Sequence, residues 1–438
     1  MKKRVISRDV FSNVDKQITM QGWLHKKRKL GGLNFINIRD RSGLTQILIE
    51  DRTEVEKLRG MQIGTVIEIT GKVVKDDRAP GGAEIHDPKI TVMVPVTDEP
   101  PIEIDKPIDH KSENQNTLFE NRALNLRNPT EQNIFRVRSL INKYIRDYLT
   151  DNEFVEIQTP KLLAGATEGG AEVFKLDYFG QEATLAQSPQ FYKQMMVGVF
   201  ERVFEIGPAF RAEPSMTSRH VSETTMLDIE MGYIESHDDV LKMTEGLINY
   251  VVNQLWKNNE DLLKSLNATR PKLAKSFPRI TVAQIHELYE KETGEKLVDQ
   301  TDLIPAEERF ICEYAKKKFG SEAVFATEFP VEVMKFYHMQ NPDNPKTVMW
   351  ADLLFRGLEI ATAPQREHHY KKMIKQMKDA SLDPKHPGYK YYLQGFQYGL
   401  PPHGGFGFGI DRFVQKIIGL GSVKEAQLFP RDINRLAP

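Results

Sequence analysis

Between residues 17 and 95, apolar side chains come in short runs separated by turn-forming residues. The runs at 18–24, 33–38, 44–49, 65–74 and 90–94 are rich in Ile, Val and Leu. The breaks at Gly31-Gly32, Ser42-Gly43 and Ala79-Pro80-Gly81-Gly82 supply the positive φ angles and fixed kinks that tight reversals need. Short strands at this spacing predict a small all-β barrel. The stretch 98–111 is rich in Pro, Asp and Lys, and opens a linker or hinge that we place at 98–130.

Beyond it the period changes. Ile134, Val137, Leu140, Ile141, Tyr144, Ile145, Tyr148 and Leu149 recur at helical spacing, which predicts an amphipathic helix over 133–149. Similar spacing predicts helices over 190–199, 237–257, 281–293, 306–319 and 368–380. Strand-like runs lie at 154–158, 202–206, 225–234, 323–326, 348–360 and 404–409. No repeat or low-complexity tract interrupts them. The pattern predicts a multidomain chain, with a barrel over 1–97 and an α+β domain over 131–438 built on a mostly antiparallel sheet.

Length agrees, because 438 residues exceed one ordinary core. Charge is balanced, 60 Lys+Arg against 61 Asp+Glu, so contact with nucleic acid has to come from a local patch. The single cysteine, Cys312, excludes an internal disulfide and a Cys-based zinc site, and reads as a buried small hydrophobe. The start, MKKRVISRDVF, lacks the apolar core of a signal peptide, and no apolar run reaches 18 residues. A cytoplasmic protein with no membrane span is the expectation.

Three runs carry candidate chemistry. In Gly404-Gly405-Phe406-Gly407-Phe408-Gly409-Ile410-Asp411-Arg412 the alternating glycines leave one strand face bare, so a flat ligand can lie on the backbone. The terminal arginine is a planar cation suited to a purine face or a phosphate. Phe210-Arg211-Ala212-Glu213 and Gln187-Ser188-Pro189-Gln190 accompany it. In the barrel, His25-Lys26-Lys27-Arg28-Lys29 reads as a basic loop, with Phe35, Arg39 and Gln46 following. Cations with interleaved aromatics suit single-stranded nucleic acid. Trp23 is expected in the barrel core, while composition leaves Phe35 open between core packing and base stacking.

Together these residues resemble a known family. FVEIQTPKL (154–162), RVFEIGPAFRAE with RHVSETTMLDIEM (202–213 and 219–231), and 404–413 are similar, in order and separation, to the three motifs of class II aminoacyl-tRNA synthetases. The GW…F…RDRSG…Q run resembles the anticodon-binding OB-fold of the aspartate, asparagine and lysine subgroup. ATEGGAEVF, QSPQFYK and RGLEIATAPQREHH resemble aspartyl-tRNA synthetases of the archaeal and eukaryotic kind. The likeness covers nearly the whole chain, and the large insertion of the bacterial form between motifs two and three looks absent. It implies an OB-fold barrel followed by a class II catalytic domain with an antiparallel sheet flanked by helices.

The resemblance also implies roles. Arg211 clamps the α-phosphate of ATP, Glu213 accepts from the adenine amino group, and Arg219 and His220 meet the distal phosphates. Arg412 covers adenine, against the bare backbone of Gly407 and Gly409. Asp352, Glu359 and Thr362 hold Mg2+. Lys193 and Arg366 bind the side-chain carboxylate of L-aspartate. Glu168, Gln190 and Asp228 take its α-amino group, beside Ser188, and Gly169-Gly170 belong to a closing loop. The motif-one helix and strand, with Pro160, imply a homodimer. On the tRNA side, Phe35 stacks on the middle anticodon base and Gln46 bonds it, Glu84 is a candidate for the first base, and Arg28 belongs to the basic run. His25 and Pro80 resemble the form that charges aspartate tRNA alone, rather than asparagine tRNA as well. Three positions depart from the family pattern. Ala363-Pro364 replaces a small-Gly pair, Thr224 stands where many relatives have an aromatic, and Asp411 replaces a frequent Glu. Glu367, His368 and His369 are read as ordinary polar residues.

Overall fold

The computed structural model describes residues 4–30, 33–106, 108, 114–164, 172–214, 217–297 and 301–438. The chain forms two compact units, Met1–Gln132 and Asn133–Pro438.

In the first unit β1 (Gln17–Leu30), β2 (Leu33–Arg39), β3 (Leu44–Ile49), β4 (Val66–Lys75) and β5 (Ala83–Val94) close into a barrel in the order β1-β2-β3-β5-β4, with helix α1 (Arg52–Arg59) between β3 and β4. Period-two alternation drives it: Ile47 and Ile49 on β3, and Ile67, Ile69 and Val73 on β4, are buried inside. Gly22 is required where β1 passes β2, since a Cβ there would lie 2.4 Å from the Arg39 carbonyl oxygen. The basic run expected as a loop is strand instead. β1 continues through it, pairing Lys27 with Ile36 and Arg28 with Phe35. A bulge between Leu24 and Lys26 turns His25 inward, leaving it 5% exposed. Trp23 is also displaced from its expected place. It is half-buried, and the Arg39 guanidinium sits 4.8 Å from its ring centre. The segment 98–130 carries two short helices, α2 (Gln115–Glu120) and α3 (Arg122–Asn125), both in the first unit.

The second unit begins within α4 (Pro129–Asp151). There follow β6 (Val155–Glu156), a small sheet of β7 (Leu162–Leu163), β8 (Lys175–Tyr178) and β9 (Gln181–Leu185), then α5 (Gln190–Phe200), β10 (Arg202–Phe210) and β11 (Glu223–Gly232). Next come α6 (His237–Asn258), α7 (Glu260–Lys264), β12 (Arg279–Thr281), α8 (Val282–Thr293), α9 (Pro305–Phe319) and β13 (Ala323–Thr327). β14 (Trp350–Phe355), β15 (Leu358–Pro364), α10 (Tyr370–Asp379), α11 (Lys390–Gln397), β16 (His403–Gly409) and α12 (Ile410–Ile418) complete it. Eight strands form one sheet in the order β12-β13-β14-β15-β16-β11-β10-β6, antiparallel except for β12 on β13 and β6 on β10. α6 and α12 lay apolar stripes, including Val240, Leu247, Val251, Phe413 and Ile417, into the same core as Phe406 and Phe408 of β16.

The apolar run at 348–360 is not one strand. Arg356 (φ 49°) and Gly357 (φ 77°) reverse the chain, making the β14–β15 hairpin. Cys312 is buried, and burial pushes its thiol up to about 12. Among the described residues no helix is long and apolar enough to cross a membrane.

Candidate active site

β16 and β11 form the floor of a cavity of about 350 Å3, with residues of α5, the β10–β11 loop, β15 and the start of α12 in its walls. The glycines of β16 divide by role. A Cβ on Gly405 would lie 2.0 Å from the Ile229 carbonyl oxygen, and one on Gly404 2.6 Å from Val240, so these two serve close packing. Gly407 and Gly409 have room for a Cβ at ordinary contact distance and line the cavity, so their bareness leaves open floor.

One end of the cavity is a buried ionic cluster. Lys193 is 1% exposed and Arg366 2% exposed, so neither is the surface residue its polar neighbours in sequence suggest. Lys193 Nζ donates to Asp228 Oδ1 at 2.8 Å and lies 3.5 Å from Glu230 Oε2. Arg366 Nε and Nη2 donate to Glu230 Oε1 and Oε2 at 2.9 and 3.2 Å. An unpaired buried charge costs several kcal/mol or more, so two cations here demand two anions. Burial drives the Glu230 carboxyl upward, but Arg366 and Lys193 outweigh it and hold it below its ordinary range. The Arg366 backbone is pinned too, its N–H donating to the His403 carbonyl at 3.0 Å. Tyr337 covers the guanidinium at 5.4 Å. Gln190 donates to Gln194, and Ser188 lines the cavity beside it. Glu168, Gly169 and Gly170 lie outside the described residues.

The other end gathers half-buried polar groups, three arginines among them. Arg211 and Glu213 follow β10, Arg219 and His220 lie on the loop before β11, and Arg412 stands on the first turn of α12. Arg412 Nη1 donates to Glu359 Oε2 at 3.0 Å and to the Glu359 carbonyl at 3.1 Å. Arg219 pairs with Glu308. His220 is lowered by burial and by Arg412 and Arg219, and its Nδ1 lies 2.6 Å from the Thr217 hydroxyl. The start of α12 is fixed by Asp411, which is fully buried. It accepts from Thr224 Oγ1 and Thr225 N at 3.0 Å and from Gln427 Nε2 at 2.8 Å, and pairs with Arg138 at 2.7 Å. Thr224 thus anchors the helix that carries Arg412.

Asp352 on β14 and Thr362 on β15 are directly opposed. A bulge at Ile360 lets Glu359 turn to the same side, its Oε1 3.3 Å from the Thr362 hydroxyl. Burial and then the charge of Glu359 push Asp352 well above its ordinary value. For Glu359, burial is outweighed by Arg412 and Arg211, and it lies low. Two carboxylates and a hydroxyl form an oxygen-only donor set of the kind magnesium takes alongside waters and phosphates. Glu367, His368 and His369 also bring ligand atoms within 4.8 Å of one another. There, however, Glu367 Oε1 already accepts from His369, and Lys372 stands 3.9 Å away.

On the barrel, Phe35 is half-exposed and lies outside the apolar core cluster, cross-strand from the exposed Arg28. Gln46 Nε2 donates to Glu84 Oε2 at 2.8 Å, and Glu84 Oε1 lies 2.8 Å from His86 Nε2. Glu84 is itself buried and therefore orients Gln46. Pro80 opens an exposed turn.

Residues 114–433 match the family described as tRNA synthetases class II (D, K and N), and residues 18–93 match the OB-fold nucleic acid binding domain. The chain belongs to the class II tRNA synthetases of this group. Among relatives of this synthetase, the aspartate–tRNA(Asp/Asn) ligase of Thermus thermophilus is 38% identical over 435 residues, 99% of this chain and all of that one. The aspartate–tRNA(Asp) ligase of Pyrococcus abyssi is 38% identical over 428 residues, 97% of this chain and 96% of its own. In structure, the asparaginyl-tRNA synthetase of Pyrococcus horikoshii complexed with asparaginyl-adenylate matches with a TM-score of 0.92 and 30% identity, covering all of both chains.

The cavity collects every described residue expected to meet ATP or the amino acid. Sequence reasoning missed Glu230, Glu308, Lys335, Tyr337, His338 and Trp350. Glu230 had a signal, since Asp228 and Glu230 are two apart on a strand and so share a face. The others come from segments with no motif.

Proposed function

We propose that this synthetase is an aspartate–tRNA ligase. Two observations support the reading: the buried pair Lys193 and Arg366 at one end of the cavity, and full-length similarity to ligases named for aspartate. An oxygen of the aspartate α-carboxylate attacks the α-phosphorus of ATP, the bond to the β-phosphate breaks, and pyrophosphate leaves. The terminal ribose 3′-hydroxyl of tRNA then attacks the aspartyl carbonyl, and AMP leaves. No side chain acts as nucleophile, so catalysis is positioning and charge stabilisation.

Arg366 uses Nε and one Nη2 hydrogen on Glu230, which leaves its Nη1 edge for the substrate's side-chain carboxylate. Asparagine would turn amide N–H groups toward cations. In a desolvated site that mismatch is worth roughly a thousandfold or more in selectivity. Asp228 and Gln190 take the α-ammonium, Arg211 and Arg412 the α-phosphate and adenine, and Arg219 and His220 the distal phosphates. Asp352, Glu359 and Thr362 would hold Mg2+, which supplies neutralisation of phosphate charge. The barrel reads the anticodon with Phe35 and Gln46, and a homodimer forms through α4, β6 and Pro160.

We assign charging to aspartate tRNA alone, on His25 and Pro80. The relaxed reading, in which asparagine tRNA is charged as well, draws on the Thermus relative's name and on the burial of His25 in the barrel wall. Charging of both purified tRNAs with labelled aspartate, at equal enzyme, tests the assignment. Aspartate tRNA alone supports it, and comparable charging of both replaces it with the relaxed one. No charging, with ATP–pyrophosphate exchange intact, makes the chain a relative that uses the adenylate otherwise.

A further inference from the structure

Helix α9 brings two adjacent glutamates to different tasks. Glu307 is structural. Its Oε2 accepts from the Ile304 N–H at 3.0 Å, capping the helix, and its Oε1 lies 2.6 Å from His286 Nδ1. Glu308 has other partners. Its Oε2 accepts from the backbone N–H of Glu359 at 3.0 Å and from Arg219 Nη2 in a charge-assisted bond. A single carboxylate oxygen therefore ties the β10–β11 loop to the start of β15. The helix is held against the β14–β15 turn, where a Cβ on Gly357 would sit 3.1 Å from Arg309 Cγ. Glu308 is thus presented from a fixed element, and its side chain is 9% exposed.

We propose that Glu308 is a positioning residue for the nucleotide end of the cavity, holding the Arg219 guanidinium beside Glu359 so that a polyphosphate meets a cation already in place. This rests on the reading of that end as an ATP site. A free arginine loses rotamer entropy on gripping a phosphate, and one that is already paired loses less. Arg219 has donors to spare. Nη2 serves Glu308, and Arg219 itself lines the cavity, where its remaining accessible hydrogens can meet a ligand. Because Glu308 also bonds the Glu359 amide, it sets the Arg219 cation at a fixed place relative to the Asp352–Glu359 carboxylates. A contact that merely latched the loop shut would act in the opposite direction, since ATP would have to break it.

The test is aspartate-dependent ATP–pyrophosphate exchange by the full chain and its variants. Glu308→Gln keeps an acceptor for the Glu359 N–H but loses the charge facing Arg219. It is expected to raise KM for ATP about tenfold, as for one charge-assisted hydrogen bond, and to leave KM for aspartate within about twofold. In an Arg219→Ala background the same change adds nothing further, because the pair acts as a unit. Glu308→Asp, which retains the charge, recovers part of the loss and carries the test if the glutamine variant melts early. A fall in KM for ATP makes the contact a latch and overturns the proposal. Additive effects in the double variant, or an equal rise in KM for aspartate, reduce Glu308 to a packing residue and overturn it too. Absence of exchange in the wild-type chain overturns the ATP reading itself, which is a separate outcome.

Discussion

The two ends of the cavity handle charge in opposite ways. At the proposed amino-acid end Lys193 and Arg366 are sealed in and matched by Asp228 and Glu230, so the cluster is neutral before any substrate arrives. At the proposed nucleotide end Arg211, Arg219, His220 and Arg412 are half-buried, and the carboxylates Asp352 and Glu359 lie close enough to repel. The difference matches the task proposed for each end. Telling aspartate from a neutral isostere requires donors that cannot relax, because a mobile site would adapt to either ligand. Gripping a triphosphate requires cations that stay within reach of the ligand, and here Arg219 and Arg412 are each held beside a carboxylate at the edge of the cavity.

The strongest way to break this contrast is Arg366→Leu. It should cut kcat/KM for aspartate by about a thousandfold or more, and lower stability by about 3–5 kcal/mol, since Glu230 loses its principal partner while buried. Exchange kinetics and denaturant unfolding measure both. If activity falls and stability does not, the end is less sealed than its geometry indicates. Arg412→Ala should lower exchange kcat by about a hundredfold, as for loss of one charge stabiliser, with a smaller loss of stability than Arg366→Leu because Arg412 is less deeply buried.

A third expectation concerns pH and metal. Asp352 lies above its unfolded value, so its ionisation opposes folding. The folded state loses stability as pH rises from the unfolded value through the raised one. Glu359 works the other way, contributing stability above its unfolded value that is lost as pH falls through its lowered one. Asp352→Asn should therefore raise the melting temperature at neutral pH in chelator. It should also abolish the stabilisation by Mg2+, about 2.7 kcal/mol at a hundredfold excess over Kd. A wild-type melting temperature indifferent to Mg2+ would remove Asp352 from the metal set. The smallest effect on the cavity belongs to Phe35→Ala, which should leave exchange unchanged while weakening tRNA by about 1–3 kcal/mol, one stacked base. Charging kinetics against tRNA concentration measure it.

The barrel strands, the long helices and most of the sheet were legible because apolar periodicity is local and burial enforces it. Reading failed where two elements meet without a polar break. The run 348–360 looks continuous because both arms of the hairpin are core strands, and only the positive φ at Arg356 and Gly357 divides them. The basic run 25–29 looks like a loop because it is densely charged, with Lys27, Arg28 and Lys29 exposed. It is strand because β2 offers it backbone partners.

By itself the sequence determined the family, the two-part architecture and the motif-borne part of the cavity lining, since motif order and period are properties of the chain. The tertiary structure alone decided which charges are sealed and which are open. Glu230 reaches both Lys193 and Arg366 because β11 runs beside β16 beneath α5. Glu359 and Thr362, three apart on a strand, would face opposite ways but for the bulge at Ile360. Glu308 meets Arg219 across 89 residues of sequence. Pair distances of this kind arise from packing, and burial turns them into energies that no local pattern encodes.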